Sequence, residues 1–166
     1  SIPDSRAADT VHSAFATGLT YFDTAPWYGL GLSEHRMGMA LRQYPRGCFS
    51  LSTKVGRTLD PVAVPESWKP RGWDHGLQFN VRYDYSYQGV RQQHRECLHR
   101  LALGRVDCLV IHDMEEAEVD DPEQPHREQL HGGIRALQEM RSSGVIRAFG
   151  AGLNSAEGRE EAAYRK

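Results

Sequence analysis

Val106-Asp-Cys-Leu-Val-Ile111, followed at once by His112-Asp113, is the run from which the architecture can be read. It is short and apolar at positions that face opposite sides of a strand, as a parallel strand covered on both faces should be. Ahead of it, Tyr87 to Leu103 reads as a helix with Val90, His94, Cys97, Leu98 and Leu101 on one side and Gly104 as its C-cap. Behind it, an acidic connection from Glu115 to Gln124 leads into a second amphipathic helix, His126 to Ser143, whose Leu130, Ile134, Leu137 and Met140 share a face. Gly144 ends that helix, and Val145 to Gly150 reads as the next strand. Strands and helices alternating at this spacing call for βα units and a parallel sheet.

The same alternation runs upstream. Asp4 to Gly18 reads as a helix, capped by Asp4 or Ser5, with Val11, Ala14 and Phe15 among its periodic apolar positions. A strand from Thr20 to Asp23 follows, then the turn signal Ala25-Pro26, Tyr28, and Ser33 as N-cap of a helix from Glu34 to Tyr44. Phe49 to Val55 reads as a further strand, with Lys54 at its far end before Gly56. Residues 57–80 carry Pro61, Pro65, Pro70, Trp68 and Trp73 without a sustained period, which predicts one long loop: a surface excursion pinned by its tryptophans, or a substrate lid. Ser155 to Lys166 reads as the next helix or as a frayed end. The class is α/β. The glycine run Gly29-Leu-Gly31-Leu-Ser-Glu34 lacks the third glycine of a dinucleotide loop, and no P-loop is present, so a barrel is favoured over an open doubly wound sheet.

Composition bounds the function. The 166 residues are 39% hydrophobic and 25% charged, as expected of a single soluble domain spanning 1–166. A formal net charge of −2 with both signs interspersed makes nucleic acid and membrane poor partners. No apolar run approaches the roughly 18 residues of a membrane span, and Ser1-Ile-Pro-Asp4 does not resemble a signal peptide. Cys48, Cys97 and Cys108 form no Cys-x-x-Cys pair, which points to a reducing cytoplasm. His94/His99 and His126/His131 are five apart rather than on one helix face, and no metal site is expected. No Gly-x-Ser-x-Gly elbow marks a serine nucleophile.

Chemistry collects at the strand ends. Asp23, Lys54 and His112 each close a successive predicted strand, and Tyr28 stands on the loop beside Asp23. In parallel βα architecture these ends share one face, where barrel enzymes build their sites. Each residue alone has a dull explanation as a cap or a surface group; three successive strand ends make coincidence a weaker one. Tyrosine ordinarily titrates near about 10, and a close cation such as Lys54 favours the phenolate. A half-buried lysine in turn needs a carboxylate, which Asp23 supplies. His112 is suited to donate a hydrogen bond to a carbonyl oxygen. This grouping describes carbonyl reduction or alcohol oxidation with Tyr28 as general acid or base, and a nicotinamide, NAD or NADP, is needed because no side chain transfers hydride. A barrel enzyme using Lys54 as a Schiff base stays open as an alternative.

The sequence resembles the aldo-keto reductases. The resemblance rests on Phe22-Asp-Thr-Ala-Pro-Trp-Tyr-Gly29, Ser33-Glu34, Ser52-Thr-Lys54, the run Leu101 to Asp113, and Gly144-Val-Ile-Arg-Ala-Phe-Gly150. It implies a (β/α)8 barrel, an NAD or NADP cofactor, and a catalytic tetrad of Asp23, Tyr28, Lys54 and His112, with Trp27, Tyr28 and His112 toward a small carbonyl or sugar substrate. Asp23 and Asn154 are the implied cofactor contacts; where many relatives carry a Ser-Asn pair this sequence departs with Gly152-Leu-Asn154, so that Asn154 either takes over that contact or only starts the next helix. Tyr83-Asp-Tyr-Ser86 and Gly150-Ala-Gly-Leu-Asn154 are similar to the branch of aldose 1-dehydrogenases, L-fucose and L-galactose dehydrogenases and pyridoxal 4-dehydrogenase, which oxidise a cyclic hemiacetal to a lactone. A complete barrel takes about 250 residues. The four strands legible here match strands two to five, so a partial barrel is expected, from a fragment of a longer protein. The competing expectation is a truncated family member that survives only as a non-catalytic binding or regulatory domain.

Overall fold

The computed structural model describes residues 2–63, 66, 68–69, 72–73, 75–115, 117 and 125–152. Helix α1 (Asp4–Ala16) leads to strand β1 (Tyr21–Asp23), helix α2 (Leu32–Leu41), a 3-10 turn (Arg46–Cys48) and strand β2 (Ser50–Val55). A hairpin of β3 (Arg57–Pro61) and β4 (Phe79–Tyr83) precedes helix α3 (Tyr87–Leu101) and strand β5 (Cys108–His112). Helix α4 (His126–Ser142) and strand β6 (Ala148–Gly152) follow. Strands β1, β2, β5 and β6 form one sheet in that order, every pair parallel. Helices supply the crossovers that parallel neighbours require, and the result is one wall of a βα barrel.

Register decides what each face carries. Phe22 lies opposite Leu51, and Thr53 opposite Leu109. Leu51 and Leu109 are fully buried and belong to a core with Leu41, Leu101 and Leu137 from the helices. Strand side chains alternate, so Asp23, Ser52, Lys54, His112 and Gly152 occupy the opposite face. One face is sealed by helices, and the other presents polar groups.

The structure moves several predicted boundaries. Residues 57–80 are not one loop, because β3 and β4 pair antiparallel, Arg57 opposite Tyr83 and Pro61 opposite Phe79. Arg82 Nε reaches across the hairpin to Asp60 Oδ2 at 2.8 Å. Strand β6 begins at Ala148 rather than Val145, because the amides of Val145 and Ile146 are still donated to the Met140 carbonyl of α4, at 2.9 and 3.3 Å. Left-handed Ala102 (φ 49°), not Gly104, closes α3. Left-handed Gly31 (φ 97°) opens α2, so Ser33 sits inside the helix, with Oγ 2.8 Å from Thr24 Oγ1. Helix α1 follows Pro3 and has no side-chain cap. Segment 155–166 and most of the acidic connection lie outside the described residues. No helix among the described residues is long and apolar enough to cross a membrane.

The end of the sheet opposite the strand carboxyl termini is tied by Asp107. Its Oδ2 accepts the Leu51 amide at 2.9 Å and pairs with Arg46, while Oδ1 lies 3.5 Å from Arg147. Burial pushes this carboxyl up, but Arg46 and the Leu51 amide outweigh it and hold Asp107 below the usual carboxylate range. A depressed folded pKa means stability that is complete above the unfolded value of about 3.9 and lost as pH falls through the folded one. Asp107→Asn is therefore expected to lower stability by about 2 kcal/mol at neutral pH, with the difference from wild type shrinking in acid. Circular dichroism melts across that pH range check it; an unchanged neutral-pH melt contradicts it.

Candidate active site

Asp23 closes β1, Lys54 is the last residue but one of β2, and His112 closes β5, so all three emerge at carboxyl ends of neighbouring parallel strands. Tyr28 stands on the turn after β1, which is fixed by its own backbone: Tyr28 donates to the Ala25 carbonyl at 3.2 Å and Gly31 to Pro26 at 2.7 Å. Fully buried Leu30 plugs the turn from below. The Lys54 ammonium donates to Asp23 Oδ2, and to the Thr24 carbonyl at 3.1 Å. It also lies 4.6 Å from the centre of the Tyr28 ring. The rings of Tyr28 and His112 meet edge to face, 5.7 Å between centroids. The four residues singled out in the sequence are brought together.

Lys54 is buried, which alone pushes an ammonium down. Its hydrogen bonds to Asp23 and Tyr28 prevail and hold it above its ordinary value, so the group is charged. Asp23 is itself aimed: Ser52 Oγ donates to its Oδ1, and the Tyr21 hydroxyl donates to Ser52 Oγ at 2.8 Å. Thus a carboxylate fixed from behind holds a cation against a phenol ring.

His112 is 2% exposed. Burial pushes its imidazole down, and Arg57 and Lys54 add to that against the pull of Asp113, leaving it below its ordinary value and neutral near pH 7. Its carbonyl accepts the Tyr85 hydroxyl at 2.8 Å. Tyr85 is 1% exposed and presses on Gly56, where a Cβ would come within 2.2 Å of its ring and φ is 111°. The stretch Tyr83 to Ser86 serves this anchor: Asp84 Oδ1 accepts the Ser86 amide, and Ser86 Oγ caps α3 by accepting the Gly89 amide, both at 3.0 Å.

Trp27 lies under the Arg57 guanidinium, 4.9 Å from ring centre to Cζ, and meets Trp73 edge to face at 6.3 Å. Trp73 continues to Tyr28 at 6.1 Å. Asn154 lies outside the described residues. Four neighbours of the site were not named as site residues from the sequence: Ser52, Arg57, Asp113 and Trp73. Arg57 and Asp113 had a signal, since each directly follows or nearly follows a site residue at the end of a strand; Trp73 had none beyond its place in a proline-rich segment.

A cavity of about 730 Å³ between α1, α2 and Trp73 has Tyr28 on its wall, with Leu32, Arg36 and Met37. Asp23, Lys54 and His112 do not line it. A Cβ added to Gly150 would meet nothing within 4 Å, while one on Gly152 would press on Val110 Cγ1 at 3.2 Å and lie 4.0 Å from Lys54 Cε. Gly150 thus leaves space on the sheet face that carries Lys54 and His112, whereas Gly152 is closely backed by Val110. Among the described residues, no three His, Cys, Asp or Glu side chains are grouped to hold a metal ion.

The pattern of the Aldo/keto reductase family matches residues 1–166. Pyridoxal 4-dehydrogenase of Microbacterium luteolum is 39% identical over 164 residues, covering 92% of this chain and 48% of the relative. D-threo-aldose 1-dehydrogenase of a Pseudomonas species is 38% identical over 157 residues, covering 91% and 45%. Among solved structures, the glycerol dehydrogenase of Gluconobacter oxydans superimposes with a TM-score of 0.65 at 27% identity, over 95% of this chain and 41% of that one. The chain therefore spans about half the length of the curated relatives it matches. A parallel wall with an acid, a lysine and a histidine at adjacent strand ends, and a family pattern matched from end to end, place this chain in the aldo/keto reductase family.

Proposed function

We propose that the complete protein is an NAD- or NADP-dependent oxidoreductase that interconverts an alcohol or hemiacetal with a carbonyl or lactone, acting on an aldose or a similar small hydroxy-aldehyde. The observation that carries this is the charged Lys54 ammonium, held by Asp23 against Tyr28 with neutral His112 across from it. In the oxidative direction Tyr28 takes the proton from the substrate hydroxyl. Lys54 is placed to balance the negative charge that Tyr28 carries before it takes that proton, its own having gone to solvent, and Asp23 keeps Lys54 in place. His112, uncharged, is suited to hold the substrate oxygen without competing for its proton. A nicotinamide, when bound, would supply the hydride chemistry that no side chain of this chain provides. Gly150, which faces the same side as Lys54 and has no neighbour within 4 Å of an added Cβ, would leave room for the cofactor, and Asn154, two positions beyond β6 in the sequence, is the candidate for its carboxamide.

The sugar preference draws on relatives named for oxidising aldoses, including an L-galactose dehydrogenase of Arabidopsis thaliana 31% identical over 151 residues. A Schiff-base role for Lys54 fits poorly, because an imine-forming lysine must be neutral and this one is held charged. The test is to supply the full-length enzyme with oxidised NAD or NADP and a panel of free aldoses. Reduced nicotinamide is expected to accumulate with at least one sugar; none with any sugar and either nucleotide overturns the proposal.

A further inference from the structure

Behind His112 stands a second buried charge pair. Asp113 Oδ2 lies 3.3 Å from His112 Nε2, and Arg57 Nη2 donates to the same oxygen at 3.3 Å. Arg57 is 1% exposed and Asp113 6%. The guanidinium is clasped between aromatic rings, 4.9 Å from Trp27 and 5.5 Å from Tyr83. Asp113 holds its position in a left-handed conformation, φ 36°. Because the Tyr85 hydroxyl fixes the His112 carbonyl at 2.8 Å, the backbone between His112 and Asp113 is held as well. The other ring nitrogen, Nδ1, is enclosed and meets no hydrogen-bonding partner among the described residues.

These contacts constrain where the imidazole proton sits. A carboxylate only accepts hydrogen bonds, so the nitrogen facing it must carry the proton, and a neutral ring then has a bare Nδ1. An enclosed Nδ1 cannot reach a substrate. Nε2, held by a long contact it can share, is the nitrogen left to meet one. The groups facing His112 are Asp113, Arg57, Lys54 and Tyr28; of these only Asp113 is an anion, and Arg57 keeps that anion compensated in its buried place.

We propose that Arg57 and Asp113 are positioning residues that keep the His112 proton on Nε2, so that the ring presents a donor to the substrate oxygen. The effect on turnover rests on the oxidoreductase reading above; the placement of the proton does not.

The experiment uses full-length enzyme with ¹⁵N-labelled histidine, and the tautomer of His112 is read from long-range proton–nitrogen correlations, assigned by their loss in His112→Gln. Asp113→Asn is the first variant, since Asn tolerates the left-handed region and can donate as well as accept. The double variant Arg57→Gln/Asp113→Asn removes both charges, so none is left buried alone if the single variant folds poorly. Wild type is expected to show Nε2–H. Either variant is expected to show a population with Nδ1–H and a fall in kcat of about tenfold or more, with nicotinamide affinity unchanged. A wild-type ring protonated on Nδ1, or variants that keep pure Nε2–H whatever happens to kcat, overturns the proposal. If wild type turns over no aldose at all, the functional reading fails while the tautomer still judges this one.

Discussion

Tyr28→Phe in the full-length enzyme is expected to lower kcat by about 10³-fold, the usual contribution of a positioned general acid or base, with little change in nicotinamide affinity. The variant removes one oxygen and leaves the ring. The ring contacts survive, with Lys54 4.6 Å from its centre and His112 and Trp73 at 5.7 and 6.1 Å, and Lys54 keeps its bonds to Asp23 and the Thr24 carbonyl. The turn that carries it is fixed by backbone bonds that Phe preserves. Loss of turnover in a folded, cofactor-binding variant therefore reports on the hydroxyl alone. Steady-state kinetics beside cofactor fluorescence titration make the check, and turnover within a few-fold of wild type contradicts the role given to Tyr28.

The largest expected loss of stability lies away from the chemistry, at Arg100→Met. Glu34 is fully buried; Arg100 Nε donates to its Oε2, and Thr53 Oγ1 to its Oε1 at 2.7 Å. The pair joins α2 to α3, with Thr53 from β2 completing it, one residue before Lys54. Burial pushes the Glu34 carboxyl above its ordinary value despite the pull of Arg100. Taking away the arginine leaves that carboxylate uncompensated, which costs about 3–5 kcal/mol, or roughly 10 °C in Tm. The sign with pH follows from a raised folded pKa: the fold favours the protonated acid, so the deficit shrinks as pH falls and grows as it rises. Thermal melts at several pH values test this. Glu34→Gln/Arg100→Met, which removes both charges, is expected to lose less than the single variant; an equal or larger loss contradicts the account.

Much of this site was legible because it lies at strand ends. An apolar run such as Leu109 to Ile111 closed by His112, or a short strand-like run such as Phe49 to Thr53 followed by Lys54, announces a titratable group at the edge of a sheet. Local spacing carried that information. The partners of those groups were less visible, because the contacts that recruit them span the chain: Arg57 meets Asp113 across 56 positions, and Ser52 meets Asp23 across 29. Nothing in the vicinity of Arg57 says which carboxylate it faces. The hairpin was obscured differently. Phe79-Asn-Val-Arg-Tyr83 does alternate apolar and polar residues as a half-exposed strand should, but the prolines before it drew the whole segment into a loop. Caps were misplaced for a third reason: α3 ends at left-handed Ala102 because Leu103 turns back to donate to the Leu98 carbonyl at 3.2 Å, which overrides the preference for glycine at such positions.

The central claim is that this strand-end cluster serves hydride transfer. The most direct measurement follows the hydrogen itself. Full-length enzyme is given oxidised nicotinamide nucleotide and an aldose deuterated at its anomeric carbon, and the products are examined by mass spectrometry. Direct transfer predicts one deuterium in each reduced nicotinamide formed, and one lactone, or the acid from its hydrolysis, for each. Deuterium released to water, with the nicotinamide unlabelled or unreduced, would mean that the cluster abstracts a proton and does other chemistry.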